Sequence, residues 1–260
     1  MNINPKRMLF MKSNGGTSGA SKGGKGTKSQ TAPMVMIQGQ QISQAVIDAN
    51  RGTRDHMQMK STTWQDIQAD YARIGVTISE EQAKKIYTAV RHFTFLHDTK
   101  MRKAWKKEQD GRSLTPLEQK ELEEYKLCAE YCKIAPTIPS SNYDYVYRGI
   151  KFSSTTPEYA QRLVSLKVGD SWDVDGMPTS FSTSFQTAKY FSMNMTTGTK
   201  GIVVHMPNKT LKNAPSIKGI SHYPGENEVF VADYNWKISS ISDQRTTGDG
   251  YYHLYLEPGK

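Results

Sequence analysis

Acidic residues are absent from this chain before Asp48, cysteine occurs only twice, and no apolar run approaches the ~20 residues that span a bilayer. Each absence closes off a class of protein. Two cysteines, Cys128 and Cys132, make no disulfide framework. They lie four apart in a stretch that reads as helix, where they share a face but cannot pair without distorting it. They are expected to be small core residues. No CxxC or HExxH spacing offers ligands for zinc, so no metal is expected. The opening MNINPKRMLFMK has positive charge but only a Met-Leu-Phe-Met stub, too short for the centre of a signal peptide. The expectation is a soluble protein without membrane partners, in the cytoplasm of its producing or target cell, with packaging in a virion as an alternative. No internal repeat is visible.

The missing acids leave Lys6, Arg7, Lys12, Lys22, Lys25 and Lys28 unopposed in residues 1–33, within a chain of formal charge +9. Such a tail can attract nucleic acid or another polyanion. Residues 13–31 are Gly, Ser, Thr and Lys with almost nothing apolar, so disorder is expected. Gly19, Gly24 and Lys25 match the spacing of a phosphate-binding loop. Gly26 follows where Ser or Thr should bind the metal, and no strand precedes, so that reading is rejected.

Residues 34–140 read as helical. Thr63 caps a helix through Trp64, Ile67 and Tyr71. Ser79 and Gln82 form a capping box before Ala83, Ile86, Tyr87, Val90, Phe93 and Leu96, spaced as one buried face. Thr115, Pro116 and Glu118 start another helix, which carries Leu122, Tyr125, Cys128 and Cys132 inward and stops before Pro136. From about residue 143 the pattern turns to short β-rich runs: Tyr145–Ile150, Gly201–Met206, Glu228–Ala232, Trp236–Ile241 and Tyr251–Leu256. Helices first and strands later predict an α+β fold. The predicted divisions are a tail 1–33, a helical arm or lead-in 34–78, and a main domain 79–260.

Three patches in the β-rich half carry candidate chemistry. They are Tyr145-Val-Tyr-Arg148-Gly149, Phe181-Ser182-Thr183-Ser184-Phe185, and Tyr223-Pro-Gly-Glu226-Asn-Glu228. Alternation along a strand would point Glu226 and Glu228 the same way, unfavourable for like charges entering an apolar run. Taken singly, Arg148 reads as a surface charge and Ser182–Ser184 as a turn. His92, His97, His205, His222 and His253 fall in no triad spacing, though His222 neighbours the acidic turn and could touch a substrate.

In this order the patches resemble the Arg–Ser–Glu class of mono-ADP-ribosyltransferases, the family of clostridial actin-modifying toxins, vertebrate ecto-transferases and phage-borne enzymes. The resemblance covers roughly residues 79–257 and implies N-terminal helices followed by two small, roughly perpendicular β-sheets flanking an NAD cleft. It implies NAD as substrate and no metal. Arg148, Gly149, Ser182, Thr183, Ser184, Phe191 and Glu228 would hold NAD. Arg148 would grip the pyrophosphate, the Gly149 backbone would meet the nicotinamide amide, and Phe191, unless it is plain core, would stack on the ring. Asn194 falls where some relatives place a second phosphate-binding arginine. Glu228, oriented by Ser182, would stabilise the ribosyl cation. Glu226 implies arginine acceptors, with Tyr223 packing on the acceptor guanidinium. The expected partner is a target protein with an accessible arginine, in a toxin, effector or phage setting. Two alternatives stay open: ADP-ribosylation of nucleic acid, and an inactive transferase-fold virion or binding protein.

Overall fold

The computed structural model describes residues 33–55, 61–152, 157–172, 179–211, 214–231 and 235–259. The basic tail and its near-miss glycine loop lie outside the described residues.

The chain opens with a hairpin, β1 (Met34–Ile37) and β2 (Gln40–Ser43), paired antiparallel from Met34↔Ser43 to Ile37↔Gln40. This departs from the all-helical expectation for 34–140. The turn needs left-handed backbone at Gln38 and Gly39 (φ 47° and 75°), a geometry that Gln-Gly signals weakly beside Asn-Gly. Helices α1 (Gln44–Asn50), α2 (Trp64–Arg73) and α3 (Glu80–His92) follow. A π-helical turn, Phe93–His97, then leads into α4 (Asp98–Gln109) and α5 (Pro116–Ile134).

The start signals act as expected. Thr63, Ser79 and Thr115 each accept from the backbone N–H three residues on, and Asp66, Gln82 and Glu118 reach back to the cap. Each box satisfies orphan donors of the first turn, an effect of about 1 kcal/mol.

These helices share one core. Ile37, Ile47, Ile67, Tyr71, Ala83, Ile86, Val90, Tyr125, Cys128 and Cys132 pack together with Phe230 from a late strand. Both cysteines are free and buried. Beneath them lies a polar network on buried Asp70, which accepts from Tyr131 Oη (2.6 Å) and pairs with Arg54 and Arg73. A buried carboxylate is tolerable only with such partners.

The second half is strand-rich, as the α+β reading requires. The strands are β3 (Tyr145–Ile150), β4 (Ser171–Trp172), β5 (Thr179–Ser182), β6 (Ile202–Pro207), β7 (Glu228–Val231), β8 (Trp236–Asp243) and β9 (Tyr252–Pro258). Helices α6 (Pro157–Val164) and α7 (Phe185–Ser192) lie between them in sequence. The strand order is β4-β8-β9-β6-β3-β5-β7. One residue pair, Tyr147↔Ser182, joins β3 to β5. The sheet therefore divides at a narrow seam into a broad part, β4-β8-β9-β6-β3, and a two-stranded part, β5-β7. The site forms at this seam.

Helix α7 is drawn tightly onto β3. A Cβ on Gly149 would lie 1.9 Å from Ala188 O and 2.7 Å from Ser192 N. Both neighbours are backbone, so only glycine permits this approach.

Candidate functional site

Strand register assembles the three sequence patches. β5 pairs antiparallel with β7 so that Ser182 faces Glu228 and Ser180 faces Phe230. The seam places Tyr147 opposite Ser182. Tyr147, Ser182 and Glu228 thus form one row across three strands, with Arg148 next to its first member.

Arg148 Nη1 donates to Ser180 O at 2.7 Å, while its Nε is buried without a hydrogen-bond partner. Burial, and then the Arg102 guanidinium, lower its pKa; Tyr159, Asp98 and Glu228 act in the opposite sense. An arginine so placed still carries its charge at neutral pH. A half-buried cation with a buried donor to spare suits an anionic ligand, which would satisfy that N–H.

Glu228 is 7% exposed. Its carboxyl is pushed up to about 7, first by burial and further by Glu226 and Asp98, against the pull of the Ser180 and Ser221 hydroxyls. Ser221 Oγ donates to Glu228 Oε2 at 3.3 Å and accepts from Tyr223 N at 3.1 Å. The expected donor, Ser182, points elsewhere. Its Oγ donates to Glu226 O at 2.6 Å and accepts from Ser184 N at 3.0 Å. Antiparallel pairing with β7 brings the preceding turn over Ser182, so the hydroxyl meets that turn's carbonyl first.

The remainder of Ser-Thr-Ser serves the same purpose. Thr183 N donates to Asn227 O at 3.2 Å, and Ser184 Oγ accepts from Thr187 N as the cap of α7. The motif fastens the acidic turn and starts the helix.

That turn is a 3-10 turn, Pro224–Glu226, followed by Asn227 in the left-handed region (φ 50°). Glu226 therefore precedes the strand, and the alternation that would have aligned it with Glu228 does not apply. The two carboxyls still sense one another, since the Glu226 charge contributes to the rise at Glu228. Glu226 itself is raised by partial burial.

Tyr223 is 41% exposed and Phe95, on the π-helical turn, is 39% exposed. Their ring centroids lie 6.1 Å apart, and the His222 ring is 4.4 Å from Phe95 and 5.0 Å from Tyr223. His222 N donates to Thr94 Oγ1 at 3.0 Å, which ties the acidic turn to the π turn. Such turns commonly occur at functional sites.

Phe191 lies on α7, exposed, with Tyr190 at 5.9 Å edge-on. It is not core. Asn194 spends its Oδ1 on Thr196 N and Thr197 N, capping its own turn. The side-chain space of Gly149 is filled by α7, so helix packing explains this glycine.

The sequence reading missed Asp98, Arg102, Ser180, Ser221 and Phe95. Asp98 acts electrostatically on both Arg148 and Glu228, and Arg102 on Arg148, from the start of α4. The π turn breaks helical regularity and re-aims the residues beyond it.

On β6 and β9, next to the Tyr147 end of the row, His205 faces Tyr147 across the strands; His205 Nε2 and His253 Nδ1 lie 2.9 Å apart, and His253 Nε2 is 3.0 Å from Asp249 Oδ1. Lys189 of α7 completes the chain at 3.1 Å from Asp249. Burial and the second histidine hold His205 down at about 4, so it packs as neutral imidazole. A cleft of about 360 Å³ at Asp48, Arg51 and Thr137 includes none of the row. No helix among the described residues is long and apolar enough to cross a membrane.

No protein-family model and no curated protein matches the chain. Among solved structures it is similar to ADP-ribosyltransferase Vis, crystallised with agmatine, at 15% identity over 80% of this chain and 91% of that one, TM-score 0.48. It is also similar to an ADP-ribosyltransferase from Clostridium botulinum in a triclinic crystal form, at 15% identity over 78% and 98%, TM-score 0.46. A third is ADP-ribosyltransferase HopU1 of Pseudomonas syringae, at 14% identity over 84% and 88%, TM-score 0.41. At such identities and scores the likeness is one of chain course and carries no residue-level correspondence.

Proposed function

We propose that the chain is a mono-ADP-ribosyltransferase that transfers ADP-ribose from NAD to arginine side chains of a target protein and releases nicotinamide. The observation that carries this reading is the row at the seam. It joins a buried carboxyl, Glu228, to a half-buried guanidinium whose Nε is buried and spare, Arg148, beside a second carboxyl on an exposed turn, Glu226.

Each position then has a task. Arg148 binds the pyrophosphate through Nε and its remaining Nη protons. The glycosidic bond between nicotinamide and ribose breaks, and its electron pair leaves with nicotinamide. The ribose left behind is cationic, and Glu228, hydrogen-bonded to a ribose hydroxyl, supplies the fixed negative charge beside it. Ser221 and Ser180 hold that carboxylate in place. A guanidinium nitrogen of the acceptor bonds to the ribose carbon, and Glu226 takes the proton this nitrogen loses. Tyr223 offers an aromatic face to the acceptor guanidinium. Ser182 and Thr183 act through the turn, fixing Glu226 relative to Glu228. Phe191 is exposed and available to stack on nicotinamide.

The test compares the wild-type chain with Glu228→Gln on labelled NAD and a cell lysate. Discrete bands labelled by wild type alone, with label on arginine by mass spectrometry, would support the reading. Label on other residues would remove the arginine acceptor. Absence of both label and nicotinamide release would remove the transferase.

A further inference from the structure

Behind the acidic turn lies a cleft of about 260 Å³ between α3 and the segment leading into β7. Tyr87 and Arg91 of α3 line one wall, and Lys218, Ser221, His222 and Pro224 line the other. Tyr87, Arg91 and Phe95 follow at helical spacing, so one stripe runs from the cleft to the aromatic group at Tyr223. Arg91 Nη1 donates to Tyr87 Oη at 3.4 Å, which turns the guanidinium along this stripe. Among the described lining residues two are cationic and none is acidic.

Two features tie the cleft to the candidate chemistry. Ser221 lines it and also donates to Glu228, so one residue separates cleft from carboxyl. Pro224 lines it and belongs to the same 3-10 turn as Glu226. The cleft thus offers the Arg91 guanidinium, and the turn that Pro224 begins carries the Glu226 carboxyl.

We infer that this cleft docks an acidic side chain of the acceptor protein, close in sequence to the arginine presented to Glu226. The inference rests on the transferase reading for the identity of the partner. Charge complementarity selects the occupant: a carboxylate for Arg91, and a guanidinium for Glu226. An extended acceptor segment rises ~3.3 Å per residue, so an acid within about three residues of the arginine reaches the cleft.

The experiment uses the full chain and two short fluorescent peptides with one arginine each. One carries Glu next but one to that arginine and the other carries Gln. Anisotropy reads peptide affinity, and nicotinamide release without peptide reads NAD cleavage separately. Wild type is expected to bind the Glu peptide roughly two- to fivefold tighter, as one exposed ion pair allows. The Arg91→Ala variant should lose that preference, and Arg91→Glu should transfer it to a peptide with Lys in the same place. Equal binding of both peptides by wild type, or a preference unchanged in the variants, would overturn the docking site. A charge-dependent preference without release of nicotinamide from NAD by wild type or variants would keep the docking site and remove the transferase.

Discussion

Glu228→Gln should stabilise the folded chain, and increasingly so as pH rises. The carboxyl goes from its ordinary 4.5 to about 7 on folding, mainly because it is buried. A raised carboxyl binds its proton more tightly in the folded state than in the unfolded one. Wild-type stability must then fall as pH climbs through the window between those values. At 1.36 kcal/mol per tenfold change, the cost of ionising Glu228 in place is about 1 kcal/mol at pH 5 and about 3 kcal/mol at pH 8. Glutamine keeps the size and never ionises. Whatever its amide gains or loses against Ser221 is independent of pH, so the diagnostic is the change between pH values. The variant should gain roughly 2 kcal/mol on wild type between pH 5 and pH 8, or about 4–8 °C in Tm for a chain of this length. Urea unfolding of both proteins at the two pH values measures it directly. A wild-type-to-variant difference that stays flat with pH would refute the raised carboxyl, and with it the claim that function here is held against stability.

Ser221→Ala removes a hydroxyl that favours the ionised form of Glu228. The acid limb of nicotinamide release should move up by about half a pH unit or more, as losing one hydrogen bond to a charged group predicts. An unmoved limb would mean that the hydroxyl does not act on the carboxylate. Gly149→Ala forces a methyl group into the backbone of α7 and should cost at least the ~1–3 kcal/mol of core overpacking. A neutral result in urea unfolding would show that α7 stands off β3. Cys132, its thiol raised first by burial, should resist a thiol reagent until the chain unfolds. Rapid labelling under native conditions would contradict the packing of α5.

What the sequence disclosed follows how local each feature is. The cap at Thr63 and the capping boxes at Ser79 and Thr115 need only four consecutive residues, and all formed as read; Asp66 completes a box at Thr63 as well. Strand Tyr145–Ile150 also matched its reading, because an alternating aromatic and apolar run is its own signal. The 34–43 hairpin was hidden by a turn with Gln in a left-handed position. Interrupted periodicity concealed the π turn, and with it the approach of Phe95, Asp98 and Arg102 to the site. The family resemblance implied Ser182 beside Glu228, where the strand register also puts it, but could not say which oxygen its hydroxyl would reach. That choice depends on a turn whose path is set by Asn227, and Ser221 takes the vacated task from a segment with no motif.

The same arrangement explains why a costly carboxyl would be kept at all. Burial that lifts Glu228 toward neutrality also removes the water that would weaken its field. In the proposed reaction, NAD brings a cationic nicotinamide ring to this carboxyl, and an adjacent positive charge favours the ionised form. Substrate entry would then help to set the charge that the bond-breaking step requires. Arg148 is the complementary case, a half-buried cation whose buried Nε has a donor to spare until an anion arrives. Binding one dinucleotide would meet both demands at once, with pyrophosphate at the arginine and the ribosyl cation at the glutamate. Neither residue gains as much from a ligand that carries only one of those charges, and this supports reading the seam as a site for a molecule that bears both.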